Sequence, residues 1–367
     1  MSRNKSVWLQ GIATAVPDRS YTQEFALEFM SRLPMYGDKE RRFLQRIYRD
    51  TKIARRHSVI EDYGKPVAEY QFFARNEELL PEPAVAERND LFVRHAEELS
   101  ARVVQKLFQD NPRVRPTEIT HLITVTCTGF SAPGFDYQLV QRFGLSANLH
   151  RYHLGFMGCY AGFPAMKLAH TICSADPAAR VLIVDVELCS LHFQFKSEPD
   201  TMVANSLFAD GAAAALISTA PPSGGGFRLV DFSSRIIAES DQAMSWRLGD
   251  IAFDMKLSAY VPKLLQRDIG DIVCSTMQAV GLEKQDVRLW AIHPGGRAIL
   301  DRIALALELP SGALEDSYAT LQNYGNMSSA TIFFVLQRML HNPASGAVFA
   351  AAFGPGLTVE SAYLERS

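Results

Sequence analysis

Cys159, His293 and Asn326 are side chains of the types that together can run acyl-transfer chemistry. Cys159 lies in LGFMGCYAGFPAMKLAH, residues 154–170. An apolar run enters this stretch, Gly158-Cys159 turn sharply, and a run with helical apolar spacing leaves it (Met166, Leu168, Ala169). A thiolate at such a strand-to-helix corner is expected near the positive end of the helix dipole, where first-turn N–H groups stabilise negative charge. Gly158 lets the backbone bend and a substrate come close. Pro164, slightly past the expected first turn, points to an irregular helix start. By itself, a Gly-Cys corner reads as a buried cysteine acting as a small hydrophobe. His293 ends an apolar run and precedes Pro294-Gly295-Gly296, and Asn326 lies in NYGNMSS between two helical stretches. A cysteine needs a base or an imidazolium to be a good nucleophile near neutral pH. An imidazole N–H and an amide N–H can together hold a developing oxyanion. Each also reads alone as a structural histidine and a turn or cap residue, and spacing does not show that the three meet.

The elements that must position these residues alternate between strand and helix. Apolar runs give strands at Val7–Val16, His121–Thr128, Tyr152–Phe156, Val181–Leu188, Ala212–Ser218, Arg228–Phe232 and Leu289–His293, with a final pair at Ala347–Phe353 and Leu357–Leu364. Helical spacing covers 22–33, Asn89–Gln109, Val261–Val280, Ala298–Leu307, Leu314–Tyr324 and Ser328–Leu340, and a further helix ends at Gly144. Residues 58–84 read as loop with short helices. Pro221–Gly226, PPSGGG, is the strongest linker signal and divides the chain into halves 1–220 and 227–367. Strands alternating with helices indicate an α/β architecture with crossover connections. The halves share a loose layout without a strict repeat.

Bulk properties exclude several functions. The 367 residues carry a net charge of −3, which does not suggest nucleic acid or an anionic membrane as main partner. Cys127, Cys159, Cys173, Cys189 and Cys274 are an odd set without metal-ligand spacing, which argues for a reducing, cytoplasmic compartment and against a disulfide framework or zinc. No apolar run approaches the roughly 20 residues that span a bilayer. Residues 38–57 hold eight Lys/Arg and three Asp/Glu, a local charge of +5. They form either a solvated helix face or a basic rim for an anionic ligand tail. PPSGGG lacks the GxGxxG pattern, so no dinucleotide site is assigned.

GFMGCYAG, AIHPGG, NYGNMSSAT, LFADGAAAAL and FGPGLTVE, in this order, resemble the type III polyketide synthases, the chalcone-synthase-like branch of the thiolase fold. The resemblance implies two related βαβ halves in a five-layered αβαβα core, acting as a homodimer. It implies that Cys159 takes a starter acyl group from a CoA thioester, and that His293 and Asn326 activate the thiolate and bind thioester carbonyl oxygens. Phe208 matches the gatekeeper between CoA tunnel and cavity, and Phe253 fits a second gatekeeper; either alone also reads as a core aromatic. Cys127, Cys189, His192 and Ser328 fall on cavity-lining positions, and Arg46 aligns with a basic CoA contact. Cys127 and Cys189 look like bacterial members, and Ala132 fills the place of a Met that crosses the dimer interface in plant enzymes.

The implied mechanism pairs a Cys159 thiolate with a His293 imidazolium. Acyl-CoA starter and malonyl-CoA are the substrates, and no metal or other cofactor is needed. Decarboxylative condensation then repeats until the chain closes to a resorcinol, phloroglucinol or pyrone. Two other readings share these residues. One is an initiating ketoacyl synthase making a single condensation, and the other is a catalytically silent thiolase-fold partner.

Overall fold

The computed structural model describes residues 6–238, 240, 243–258 and 260–367. In chain order the elements are β1 (Val7–Ala15), β2 (Ser20–Thr22), α1 (Gln23–Ser31), α2 (Asp38–Asp50), β3 (Arg55–His57), α3 (Val85–Asp110), β4 (His121–Thr126), α4 (Phe135–Phe143), β5 (His150–Gly155), α5 (Gly162–Ala175), β6 (Arg180–Leu188), α6 (Pro199–Leu207) and β7 (Asp210–Ser218). Beyond Pro221–Gly226 come β8 (Phe227–Ile236), β9 (Met244–Leu248), β10 (Phe253–Leu257), α7 (Val261–Gln278), β11 (Leu289–Ile292), α8 (Arg297–Ala306), α9 (Glu315–Tyr324), α10 (Thr331–Leu340), β12 (Gly346–Gly354) and β13 (Thr358–Arg366).

Among the described residues, nine strands join in the order β11-β12-β13-β8-β1-β7-β6-β4-β5. Strand β1 is the seam. It pairs with β8 only over Val7–Leu9, and its ladder with β7 shifts register between Leu9 and Gly11. A Cβ on Gly11 would lie 2.6 Å from the Asn111 side-chain amide, so a larger residue there would push that amide aside. The strands on either side of β1 are therefore two sheets joined at an edge. Alternation along each strand sends its side chains to two helical layers. In β6, Leu182, Val184 and Val186 face α3 and α4, whereas Val181 and Ile183 face α5 and α10. In β12, Val348, Ala350 and Ala352 face the same central helices, whereas Phe349, Ala351 and Phe353 face α7 and α8. The result is the five-layered αβαβα arrangement. Helix α10 is apolar nearly all round (Ile332, Phe333, Val335, Leu336, Met339 buried) because it lies between both sheets.

The hairpin β9–β10, helix α6 and the short β2–β3 ladder were not legible in the sequence. The helix expected at Ser328–Leu340 starts only at Thr331, because Ser328 has φ 49° and begins a separate 3₁₀ turn. Among the described residues, no helix is long and apolar enough to cross a membrane.

Fully buried Arg88 ties α3 to the turn Cys189–His192, which later forms a cavity wall. Its guanidinium donates to the Pro83 (2.8 Å), Leu191 (2.5 Å) and Phe193 (2.8 Å) carbonyls and to Glu82 (3.3 Å), and lies over the Phe72 ring. Burial lowers its pKa to about 10, opposed by the Glu82 carboxylate. Arg88→Met strands a carboxylate and three carbonyls away from water. The expected loss is about 3–5 kcal/mol of unfolding free energy, read from guanidinium denaturation.

Candidate active site

The Cys159 corner is built by close backbone approach. After β5, Phe156 (φ 61°) and Gly158 (φ 86°) turn the chain. A Cβ on Gly158 would come within 2.4 Å of the Pro355 ring, so only glycine fits. Ala161 N–H then donates to Gly158 O and Phe163 N–H to Tyr160 O, before α5 begins at Gly162 with Ala161 as its cap. Pro164 thus falls inside the first turn, where its missing N–H leaves no bond unmade. Opposite, Gly354 packs on Tyr160 and on the Cys159 N–H, so β12 ends directly against the corner.

His293 follows β11 and anchors its own N–H on Ala351 O at 2.8 Å. Its imidazole is buried, and neither ring nitrogen has a hydrogen-bond partner. Asn326 lies between α9 and the Ser328 turn. Its backbone pairs with the residues flanking Phe208: Asn326 N–H donates to Leu207 O and Ala209 N–H to Asn326 O, each at 2.9 Å. Ser328 N–H donates to Asn326 Oδ1 (2.9 Å), and Asn326 Nδ2 donates to Gly295 O (3.2 Å). The amide is held in one orientation and tied to the turn that follows His293.

Cys159, His293, Asn326, Phe208, Cys127, Cys189, His192 and Ser328 line one cavity of about 1270 Å³, counted out to its open mouth. Two expected residues do not. Phe253 is buried outside the wall, stacked on His192 at 4.1 Å, and the wall position is Met255, two residues along the same face of β10. Arg46 is exposed on α2 over the Phe43 ring, away from the lining. Sequence reading missed Trp246, Met244 and Leu257 of the hairpin, and Tyr21, Phe25 and Phe29 around α1. The turn residues Gly249-Asp250 between alternating runs were the available hairpin signal.

Burial sets the electrostatics. It pushes the Cys159 thiol up to about 12; hydrogen bonding from Ser328 and Asn326 opposes this, and the Glu187 charge adds to it. Burial pushes the His293 imidazole down to about 3. Burial thus disfavours the charged form of each group taken by itself. Passing the proton from Sγ to the ring creates both charges together, and their attraction then offsets the desolvation. Cys127 differs. Its thiol donates to buried Glu187 (3.2 Å) and lies 3.3 Å from Ser328 Oγ, and burial and Glu187 drive its pKa well up. Glu187 also accepts from Thr128, Ser329 and the Cys127 N–H.

His192 bonds Thr128 O through Nε2 (2.7 Å) and accepts the Phe253 N–H at Nδ1 (3.2 Å), which fixes a neutral Nε2–H tautomer. Burial lowers its pKa to about 3. The folded value lies below the unfolded value near 6.5, so His192 contributes stability that is complete above pH 6.5 and lost as pH falls toward 3. Asp210, raised to about 6 by burial, acts in the opposite sense. Guanidinium denaturation at pH 7 and pH 5 should therefore show a loss about 2 kcal/mol smaller in His192→Gln than in wild type.

The chain matches the family models described as chalcone and stilbene synthases, N-terminal domain over residues 2–221 and C-terminal domain over residues 228–366. It is 31% identical over 362 residues to the alpha-pyrone synthesis polyketide synthase-like Pks18 of Mycobacterium tuberculosis, covering 96% of this chain and 89% of that protein. It superposes on PKS-I from the brown alga Ectocarpus siliculosus with TM-score 0.92 and 26% identity, covering all of both chains. With the 1,3,6,8-tetrahydroxynaphthalene synthase of Streptomyces coelicolor, a bacterial type III polyketide synthase, the TM-score is 0.87 at 27% identity, over 98% of this chain and 99% of that one.

Proposed function

Since the chain belongs to the chalcone and stilbene synthase family and is a type III polyketide synthase, we propose that Cys159 carries the growing acyl chain while His293 and Asn326 hold the reacting carbonyl oxygens. The observation that carries this reading is the convergence of a buried thiol, an unpartnered imidazole and a fixed amide on one cavity. Cys159 attacks the starter thioester after its proton passes to His293, and CoA leaves as the thiol. Malonyl-CoA then binds with its thioester oxygen between His293 and Asn326. Loss of CO2 leaves an enolate whose oxyanion those donors stabilise. Its carbon attacks the acyl-Cys159 carbonyl, the C–S bond breaks, and the extended chain returns to Cys159 for another round.

The half 1–220 supplies the nucleophile and 227–367 supplies both donors. Phe208 gates the cavity that Met255 also lines, Cys127, Cys189, His192 and Ser328 shape the wall, and Arg46 meets the CoA phosphates outside the wall. The substrates are an acyl-CoA starter and malonyl-CoA, with no further cofactor. The product is a resorcinol, phloroglucinol or pyrone, and the alpha-pyrone assignment in the name of the mycobacterial relative supports the last. A homodimer is supported by β5, an edge strand with mostly exposed side chains, Tyr152 among them, and by exposed Phe130 and Phe156 outside it. Five free cysteines support a cytoplasmic setting. Mass spectrometry of products from malonyl-CoA and graded acyl-CoA starters tests the function. Products carrying several added two-carbon units are expected, whereas single-extension products would overturn the iterative reading.

A further inference from the structure

Each round of chain extension consumes one proton. Malonyl-CoA enters as a carboxylate, its CO2 leaves without a proton, and the carbon attack that follows expels Cys159 as a thiolate. His293 is neutral at that moment, because the proton it took from Cys159 has left with CoA. A buried sulfur whose pKa is pushed up to about 12 must then take its proton from another group.

A line of hydrogen bonds runs from that sulfur into the sheet. Ser328 hydrogen-bonds Cys159, and its Oγ lies 3.3 Å from Cys127 Sγ. Cys127 Sγ lies 3.2 Å from Glu187 Oε1. Ser329 Oγ lies 2.6 Å from Glu187 Oε1 and 2.9 Å from Asp185 Oδ1. All of these side chains are buried. Counting hydrogens settles the far end. The Ser329 hydroxyl has one hydrogen and sits between two carboxyl oxygens, so the second bond needs a proton on a carboxyl. Glu187 already accepts from the Cys127 N–H, the Cys127 thiol and the Thr128 hydroxyl, which makes it the carboxylate. Asp185 meets Ser329 through Oδ1, and its buried Oδ2 has no partner among the described residues. Its neighbours on β4 and β7 are uncharged Val125 and Ala213. Asp185 is therefore the acid, donating to Ser329, which donates to Glu187. Burial, and then the Glu187 charge, raise the Asp185 carboxyl well above its ordinary range.

We propose that Asp185 stores the proton that each extension consumes and delivers it along this line to the Cys159 sulfur as the acyl chain leaves. The Ser328 hydroxyl proton passes to Sγ. Cys127 turns its thiol hydrogen to Ser328 and takes one from Glu187, Glu187 takes the Ser329 proton, and Ser329 takes that of Asp185. One proton leaves Asp185 and one arrives on Cys159, while the groups between end as they began. Asp185 is refilled from water along the same line when CoA leaves the cavity. The proposal rests on Cys159 being the acylated residue.

Asp185→Asn keeps the shape of the side chain and a hydrogen donor to Ser329, but it holds no proton to give. Acyl-Cys159 is formed first from one acyl-CoA and followed by intact-protein mass spectrometry. Malonyl-CoA is then added, and extension of the preloaded chain is timed by rapid quench. Loading in the variant should stay within about twofold of wild type, because loading consumes no proton. Extension should slow at least ~10-fold. It should recover by up to about tenfold per unit as pH falls from 8 to 6, since solvent must then supply the proton, whereas wild-type extension stays nearly flat. Ser329→Ala cuts the line one link nearer the sulfur. It should show the same split and the same pH slope, and it carries the test where Asp185→Asn does not fold. Extension at the wild-type rate in these variants, or loading and extension lost by equal factors, overturns the inference while Cys159 loading stands. A wild-type pH slope as steep as the variants' overturns it too. If no acyl-CoA labels Cys159, the proposed function falls and takes this inference with it.

Discussion

A Cys159→Ala variant is expected to make no detectable polyketide, a loss on the order of 10³-fold or more, while still releasing CO2 from malonyl-CoA. Chain growth needs a covalent acyl carrier. Decarboxylation needs only a held thioester oxygen, and the donors for it are fixed by contacts independent of the thiol. Asn326 is oriented by Ser328 N–H and Gly295 O, and His293 is anchored on Ala351. Radiolabelled malonyl-CoA, with CO2 trapped and products chromatographed separately, reads both steps from one reaction. The result that would sink the assignment is a variant that still builds chains, since Cys127 and Cys189 line the same cavity. Their surroundings argue against that outcome. The Cys127 thiol points at the Glu187 carboxylate, where a thiolate would meet a negative charge at 3.2 Å. Cys189 is likewise driven well up by burial and then by Glu187. Hydrogen bonding that stabilises the thiolate comes from two side chains, Ser328 and Asn326, at Cys159.

What was legible in the sequence is what local chemistry determines. VLIVDVEL reads as a strand because both its faces are buried, and Phe92 to Leu107 read as a helix because one face is. Gly158, Pro294-Gly295 and Gly325 marked the corners where Cys159, His293 and Asn326 stand, since sharp turns need particular residues wherever they occur. What was not legible depends on partners distant in the chain. Phe253, Met255 and Leu257 share one face of β10, and only packing of the hairpin on His192 decides which of them reaches the cavity. Phe25 and Phe29 have the spacing of an ordinary core-facing helix, and a helix face turned to a cavity looks the same in sequence as one turned to the core. The helix start beside Cys159 was visible in the sequence, whereas the burial that raises its thiol pKa belongs to the whole fold.

Replacing the two donors should separate their duties. Asn326→Ala removes one hydrogen bond to the developing enolate, and decarboxylation should fall about 10²–10³-fold while starter loading falls less. His293→Ala should cut both steps, because the imidazole serves the oxyanion and also takes the Cys159 proton. His293→Gln divides these roles within one residue. The amide keeps an N–H toward the oxyanion, so decarboxylation should stay within about tenfold of Asn326→Ala. It cannot accept the thiol proton at neutral pH, which leaves Cys159 as a buried thiol with pKa about 12. Below that value the thiolate fraction rises tenfold per pH unit, so loading of His293→Gln should climb about 100-fold from pH 7 to pH 9. Wild-type loading, supplied with an internal base, should change much less over the same interval. The comparison uses intact-protein mass after timed exposure to one acyl-CoA. A flat profile in His293→Gln would mean that another group deprotonates Cys159 and that His293 acts on the oxyanion alone. A steep profile in wild type as well would mean that the imidazole does not receive the proton even when present.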